Sequence, residues 1–158
     1  MPESFKKFKP REGEEENFLL ADTAVGDKNR ILIFGRQRNI DLFKNTKKWF
    51  MDGNKVAPML FAQVYVILAE KHVAVHPIFY ALLPNKSRTT YVRLFSLIKK
   101  LQPELQLRSV ACDFEIAAIL GIKTIFPDVA VHGCFFSFIT KRQKTHCSKL
   151  TTQMLSLL

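Results

Sequence analysis

Two aspartates end short apolar runs in this chain: Asp52 in WFMDG (49–53) and Asp113 in SVACDFE (109–115). A carboxylate at the tip of a buried strand needs either water or an ion to meet it. In sheets that combine parallel strands with helices, functional groups gather outside the carboxyl ends of the central strands. If the strands bearing Asp52 and Asp113 are parallel neighbours, the side chains converge and repel unless a divalent cation sits between them. Oxygen-only ligation suits Mg²⁺ or Mn²⁺, which keep waters and take phosphate oxygens as further ligands. Two such ions about 3.5–4 Å apart stabilise both the attacking and the leaving oxygen of a phosphodiester displacement. The same residues also fit structural roles, Asp52 in an Asp-Gly turn and Asp113 as the cap of the helix that follows. Spacing alone leaves both readings open.

The surrounding pattern must position these acids. ILIFG (31–35) reads as a short strand closed by glycine, and RQRNIDLFKNT (36–46) as a short helix with Ile40 and Phe43 three apart. KKWFMDG (47–53) is a strand ending in Asp52 and Gly53, with Trp49 and Phe50 as core residues. LFAQVYVILA (60–69), the polar EKH and VAVHPIFYALL (73–83) form a hairpin, with Pro77 at an edge or a bulge. Tyr91, Leu94, Phe95, Ile98 and Leu101 make one apolar helical stripe, capped by Ser87 or Thr89 and stopped by Pro103. SVAC (109–112) carries small or apolar residues on both faces, as a strand covered on both sides by helices does. Phe114, Ala118, Ile122 and Ile125 mark a second helix ended by Pro127, and VAVHGCFF (129–136) a last strand. The expected fold class is α/β: an antiparallel β-hairpin start, then parallel strands joined by crossover helices.

Composition sets the outer bounds. The 158 residues are 47% hydrophobic with 14 phenylalanines, which suits one packed domain. A formal charge of +10 favours a polyanionic partner such as DNA. Three cysteines, an N-terminus without an apolar core and the lack of any apolar run near 18 residues give the expectation of a nuclear or cytoplasmic chain, neither secreted nor membrane-spanning. Residues 1–17 read as a disordered charged tail, 18–138 as the folded core and 139–158 as a basic tail. In that tail Lys141, Arg142, Lys144 and Lys149 are candidates for DNA-backbone contact, or simply solvated charges. His132, Cys134, His146 and Cys147 are poorly spaced for a tetrahedral zinc site. Cys112 and Cys134 read instead as small core residues, and His76 as a partly buried hairpin histidine.

Three blocks, KKWFMDGNKVAPMLFAQVYVI, PIFYALLPNKSRTTYVRLF and SVACDFEIAAILGIKTIFPDVAVHGCFF, together resemble the transposase domain of Mutator-like elements (MULE). The resemblance runs from about Leu19 to Phe138. It implies an RNase H-like fold with Asp52 and Asp113 on adjacent central strands as the first and second catalytic, metal-binding acids. It further implies Mg²⁺ or Mn²⁺ as cofactor and DNA cleavage with strand transfer as the chemistry.

The departures from the family matter equally. Asp52-Gly53-Asn54-Lys55 replaces the usual Asp-Gly-Thr-Phe-Lys and is one residue short, a change that flips an alternating strand unless a bulge absorbs it. Ser137 stands where the family's Cys-x-x-His histidine is expected, three residues after Cys134. The family's third acid is a glutamate on a later helix, and no Asp or Glu follows Asp128 here. Glu115 is read as an acid serving the helix dipole rather than as its substitute. The expectation is therefore a truncated transposase core, incomplete at its C-terminus and inactive. The alternatives are a non-catalytic DNA- or partner-binding module domesticated from a transposase, or an unselected gene fragment.

Overall fold

Alternation at every second residue builds the longest strands. Gln63, Tyr65, Ile67 and Ala69 are buried, while Val64, Val66, Leu68 and Glu70 between them are only half-buried. One face of the sheet therefore carries the core. The computed structural model describes residues 6–9, 14–54, 59–71 and 74–133. Its strands in chain order are β1 (Lys7–Phe8), β2 (Glu16–Asn17), β3 (Leu19–Asp22), β4 (Leu32–Phe34) and β5 (Lys48–Asn54). They continue with β6 (Gln63–Lys71), β7 (Ala74–Leu83), β8 (Ser109–Cys112) and β9 (Ala130–Gly133). The helices are α1 (Gln37–Phe43), α2 (Arg88–Leu101) and α3 (Ile116–Ile125).

Seven strands form one mixed sheet in the order β3-β4-β7-β6-β5-β8-β9. β5, β6 and β7 are an antiparallel meander, while β8 runs parallel to β5 and β9 parallel to β8. The α/β expectation holds at this level, with α2 leading from β7 to β8 and α3 from β8 to β9. The β3–β4 ribbon extends the sheet beyond β7. Arg93 on α2 pins the turn of that ribbon: it donates to Asp27 at 2.5 Å and to the Asn29 carbonyl at 3.1 Å. The same guanidinium holds the Asp27 carboxyl below its usual range.

The hairpin proline finds both of its expected explanations. Ile67 pairs with Phe79 but Leu68 pairs with Pro77, so Ile78 is the extra residue of a bulge. β4 reaches only Tyr80, Ala81 and Leu82 on the other side of β7, so Pro77 removes no hydrogen bond from that pairing. α2 begins as its sequence predicts: the Thr90 N–H donates to Ser87 Oγ at 3.2 Å, and Tyr91, Leu94, Phe95 and Ile98 are buried.

Other expectations are corrected. Lys7–Phe8 and Glu16–Asn17, inside the stretch read as disordered, pair as a two-stranded ribbon. The rings of Phe8, Phe18 and Phe34 meet in succession at tilted angles with centroids 5.8 Å apart, and Arg36 lies over Phe8 while pairing with Glu16. That local apolar cluster supplies what the charged composition hides. α3 starts at Ile116 rather than Phe114, and Phe114 is exposed. β8 is covered on one side only by the described helices. Val110 and Cys112 are buried among residues of α1, α2 and α3, whereas Ser109 and Ala111 on the opposite face are half-buried.

α2 and α3 meet at Gly121. A Cβ there would lie 2.7 Å from Tyr91 Cβ and 3.2 Å from the Tyr91 backbone, so the helices approach as closely as they do because no side chain intervenes. Gly→Ala normally favours a helix by about 1 kcal/mol, but overpacking against backbone costs about 1–3 kcal/mol. Gly121→Ala is therefore expected to lower the urea unfolding midpoint through a net loss of up to about 2 kcal/mol. An unchanged or higher midpoint would contradict this packing.

Candidate metal site at the carboxyl end of the sheet

The parallel ladder between β5 and β8 runs from Lys48↔Ser109 to Met51↔Cys112. Asp52 and Asp113 are the next residues on these two neighbouring strands. β5 continues beyond Asp52 because β6 holds it, with Asp52 opposite Val66 and Gly53 opposite Tyr65. β8 ends at Cys112, and the chain turns into α3. The two sequence-predicted acids therefore stand side by side in the backbone, at the same end of the sheet.

Their side chains meet different surroundings. Met51 is buried, so the pleat turns Asp52 to the opposite face, where it is exposed. Asp113 is half-buried, with Oδ1 closed off from solvent. Its charge acts on the hydroxyls of Tyr65 and Tyr91, both on the helix-covered side.

A hydrogen-bonded chain crosses that side. Gln63 Nε2 donates to the Tyr91 hydroxyl at 2.5 Å, and this hydroxyl donates to Glu115 Oε1 at 2.6 Å. Lys86 Nζ donates to Glu115 Oε2 at 3.2 Å. Burial, and then the bond to Glu115, push the Tyr91 hydroxyl well above its ordinary range, which keeps its proton in place for donation. Burial does the same to Tyr65, whose hydroxyl lies 3.8 Å from Met51 Sδ.

Because Tyr91 gives its proton to Glu115, it can only accept from the Gln63 amide nitrogen. The carbonyl end of that amide, Oε1, is then directed elsewhere; it is buried and has no hydrogen-bond partner among the described residues. It stands over Gly53, where an added Cβ would lie 2.8 Å away. Glycine after Asp52 is what allows this approach.

Glu115 is the residue before α3, at the positive end of its dipole, and makes no capping bond with its side chain; its carboxylate accepts from Tyr91 and Lys86. Asp113, for its part, is two residues short of the N-cap position that the structural alternative assigns it. Among the described residues, no three His, Cys, Asp or Glu side chains gather as a metal-holding group. Oxygens of Asp113 and Gln63 are offered at this end of the sheet, beside the Met51 thioether and the buried Cys112 thiol. Gln63 Oε1 is a buried carbonyl without a partner among the described residues, and the two oxygens make up the hard donor set. That donor set fits a hard divalent cation such as Mg²⁺ or Mn²⁺.

Lys141, Arg142, Lys144 and Lys149, with Cys134, Ser137, His146 and Cys147, lie outside the described residues. His132 is exposed on β9, and His76 is exposed rather than partly buried. Cys112 is buried in the core, as expected. Gln63, Tyr91 and Lys86 went unselected in the sequence. The available signal was Gln63, a polar residue in phase with the buried positions Tyr65, Ile67 and Ala69. Among the described residues no helix is long and apolar enough to cross a membrane. No protein-family model, curated protein or solved structure matches the chain.

Tyr91→Phe removes the acceptor of a buried amide and one donor to Glu115. The expected loss is about 1–3 kcal/mol in urea unfolding, the cost of a buried polar group left unsatisfied. Wild-type stability in this variant would mean the hydroxyl is not part of a bonded chain.

Proposed function

We propose that this chain carries the RNase H-like core of a Mutator-like element transposase, and that it binds DNA and a divalent cation without cleaving the DNA. One observation supports the reading above the others. Counted along the chain, the meander β5-β6-β7 and the parallel pair β8-β9 lie in the sheet as third, second, first, fourth and fifth. The first and fourth of these strands carry Asp52 and Asp113 at neighbouring ends. That arrangement agrees with what the resemblance of the three sequence blocks implies for the two acids.

In this reading Asp113, enclosed on one oxygen, holds the cation from the helix-covered side, while Asp52 turns to the opposite face and does not share it. Glu115, Tyr91 and Lys86 keep the turn after β8 in place. A bound Mg²⁺ or Mn²⁺ supplies charge stabilisation for phosphoryl oxygens. Glu115 is not free to serve as a third anionic ligand, since both of its oxygens already accept hydrogen bonds. Asp52 is exposed on one face and Asp113 sheltered on the other, so the two acids do not form the joint site that in-line displacement requires. The net charge of +10 supplies the attraction for the DNA backbone.

Two measurements test this. The purified chain is expected to give no nicking of supercoiled DNA above background in Mg²⁺ or Mn²⁺; cleavage that disappears in Asp113→Asn would overturn the non-cleaving reading. DNA affinity in gel-shift titrations is expected to fall linearly on a log–log plot against salt, by about 0.9 per phosphate neutralised. Affinity that does not respond to ionic strength would remove DNA as the partner.

A further inference from the structure

The buried carbonyl of Gln63 is the least explained polar group at this end of the sheet. The residue is 0% exposed, and a buried polar oxygen without a partner costs stability unless something meets it. Its orientation is fixed by chemistry. The Tyr91 proton goes to Glu115 Oε1, so Tyr91 accepts from Gln63 Nε2, and Oε1 cannot turn back to the hydroxyl.

Two negative charges lie on the same side. Asp113 and Glu115 both act on the Tyr65 and Tyr91 hydroxyls, and Gln63 is bonded to one of these hydroxyls. Lys86 neutralises Glu115, the outer acid. Gly53, with no side chain, lies beside Oε1, where an added Cβ would come within 2.8 Å. A neutral carbonyl, a carboxylate and water are the oxygen donors that a hard cation takes.

We propose that Gln63 Oε1 is a ligand of the divalent cation, acting with Asp113 from the helix-covered side of the sheet. Tyr91 is the positioning residue: it holds the amide in the one orientation that presents the carbonyl. The inference rests on the ligand role given to Asp113 above and needs no contribution from Asp52, which turns to the opposite face.

The experiment measures Mn²⁺ affinity of the full chain by electron paramagnetic resonance of free Mn²⁺, with Tb³⁺ luminescence excited through tyrosine as a second readout. Gln63→Met keeps the side-chain volume and removes the carbonyl; it is expected to weaken Mn²⁺ at least about tenfold. Gln63→Glu places a charged oxygen there and is expected to tighten Mn²⁺. Circular dichroism checks that each variant folds. In the wild type, Tb³⁺ emission is expected to follow the tyrosine excitation band, a readout that needs no variant.

If Gln63→Met and Gln63→Glu both leave Mn²⁺ affinity unchanged while Asp113→Asn weakens it, this inference falls and the ligand role of Asp113 stands. If Gln63→Met and Asp113→Asn weaken it while Asp52→Asn does not, both stand. Loss in all three variants keeps both and overturns the exclusion of Asp52. Wild-type protein that shows neither Mn²⁺ binding nor tyrosine-sensitised Tb³⁺ emission overturns both.

Discussion

Tyr91 joins three elements that chain order keeps apart. Its hydroxyl lies between Gln63 of β6 and Glu115 before α3, and its Cβ fills the space that Gly121 leaves open on α3. Its ring meets Tyr65 edge-on at 5.2 Å and stacks on Phe95 at 6.4 Å. A buried hydroxyl with both a donor and an acceptor satisfied is stable, whereas the same hydroxyl with either missing is not. The position of α2 over the sheet, the approach of α3 to α2 and the turn after β8 thus depend on one side chain.

That constraint shapes the end of the sheet. β5 and β8 bring Asp52 and Asp113 to adjacent places because their parallel ladder is in register up to Met51 and Cys112. What separates the acids is how each strand ends. β5 remains a strand through Asn54, so its pleat sends Asp52 to the face opposite the core. β8 stops one residue before its acid, and the Glu115–Tyr91 bond helps hold the turn that follows. Gly53 and Gln63 then share the space on the core side.

Much of the fold was legible in the residues. The alternation of LFAQVYVILA and the stripe Tyr91, Leu94, Phe95, Ile98 are periodicities fixed by backbone geometry, and they emerge as β6 and α2. Ser87 and Pro77 carried their roles in their own chemistry, as a hydroxyl acceptor and as a residue without an N–H. The ribbon at Lys7–Phe8 and Glu16–Asn17 was not legible, because its support comes from Phe18, Phe34 and Arg36, and local composition contains only charge. Phe114 was assigned to α3 on spacing alone; its ring instead lies against Gly133, where a Cβ would come within 2.3 Å.

By itself the sequence determined β4 to β9 and the three helices in outline, the class of the fold and the two acids at strand ends, since each follows from residue type and spacing along one stretch of chain. It did not determine strand order, the faces to which Asp52 and Asp113 turn, or the engagement of Glu115 by Tyr91 and Lys86. Those depend on contacts across 24 and 29 residues, and the Gln63–Tyr91 bond spans 28. A buried glutamine in a strand has no periodicity of its own to announce a partner. Only when the helix settles on the sheet does one end of its amide become satisfied and the other remain open.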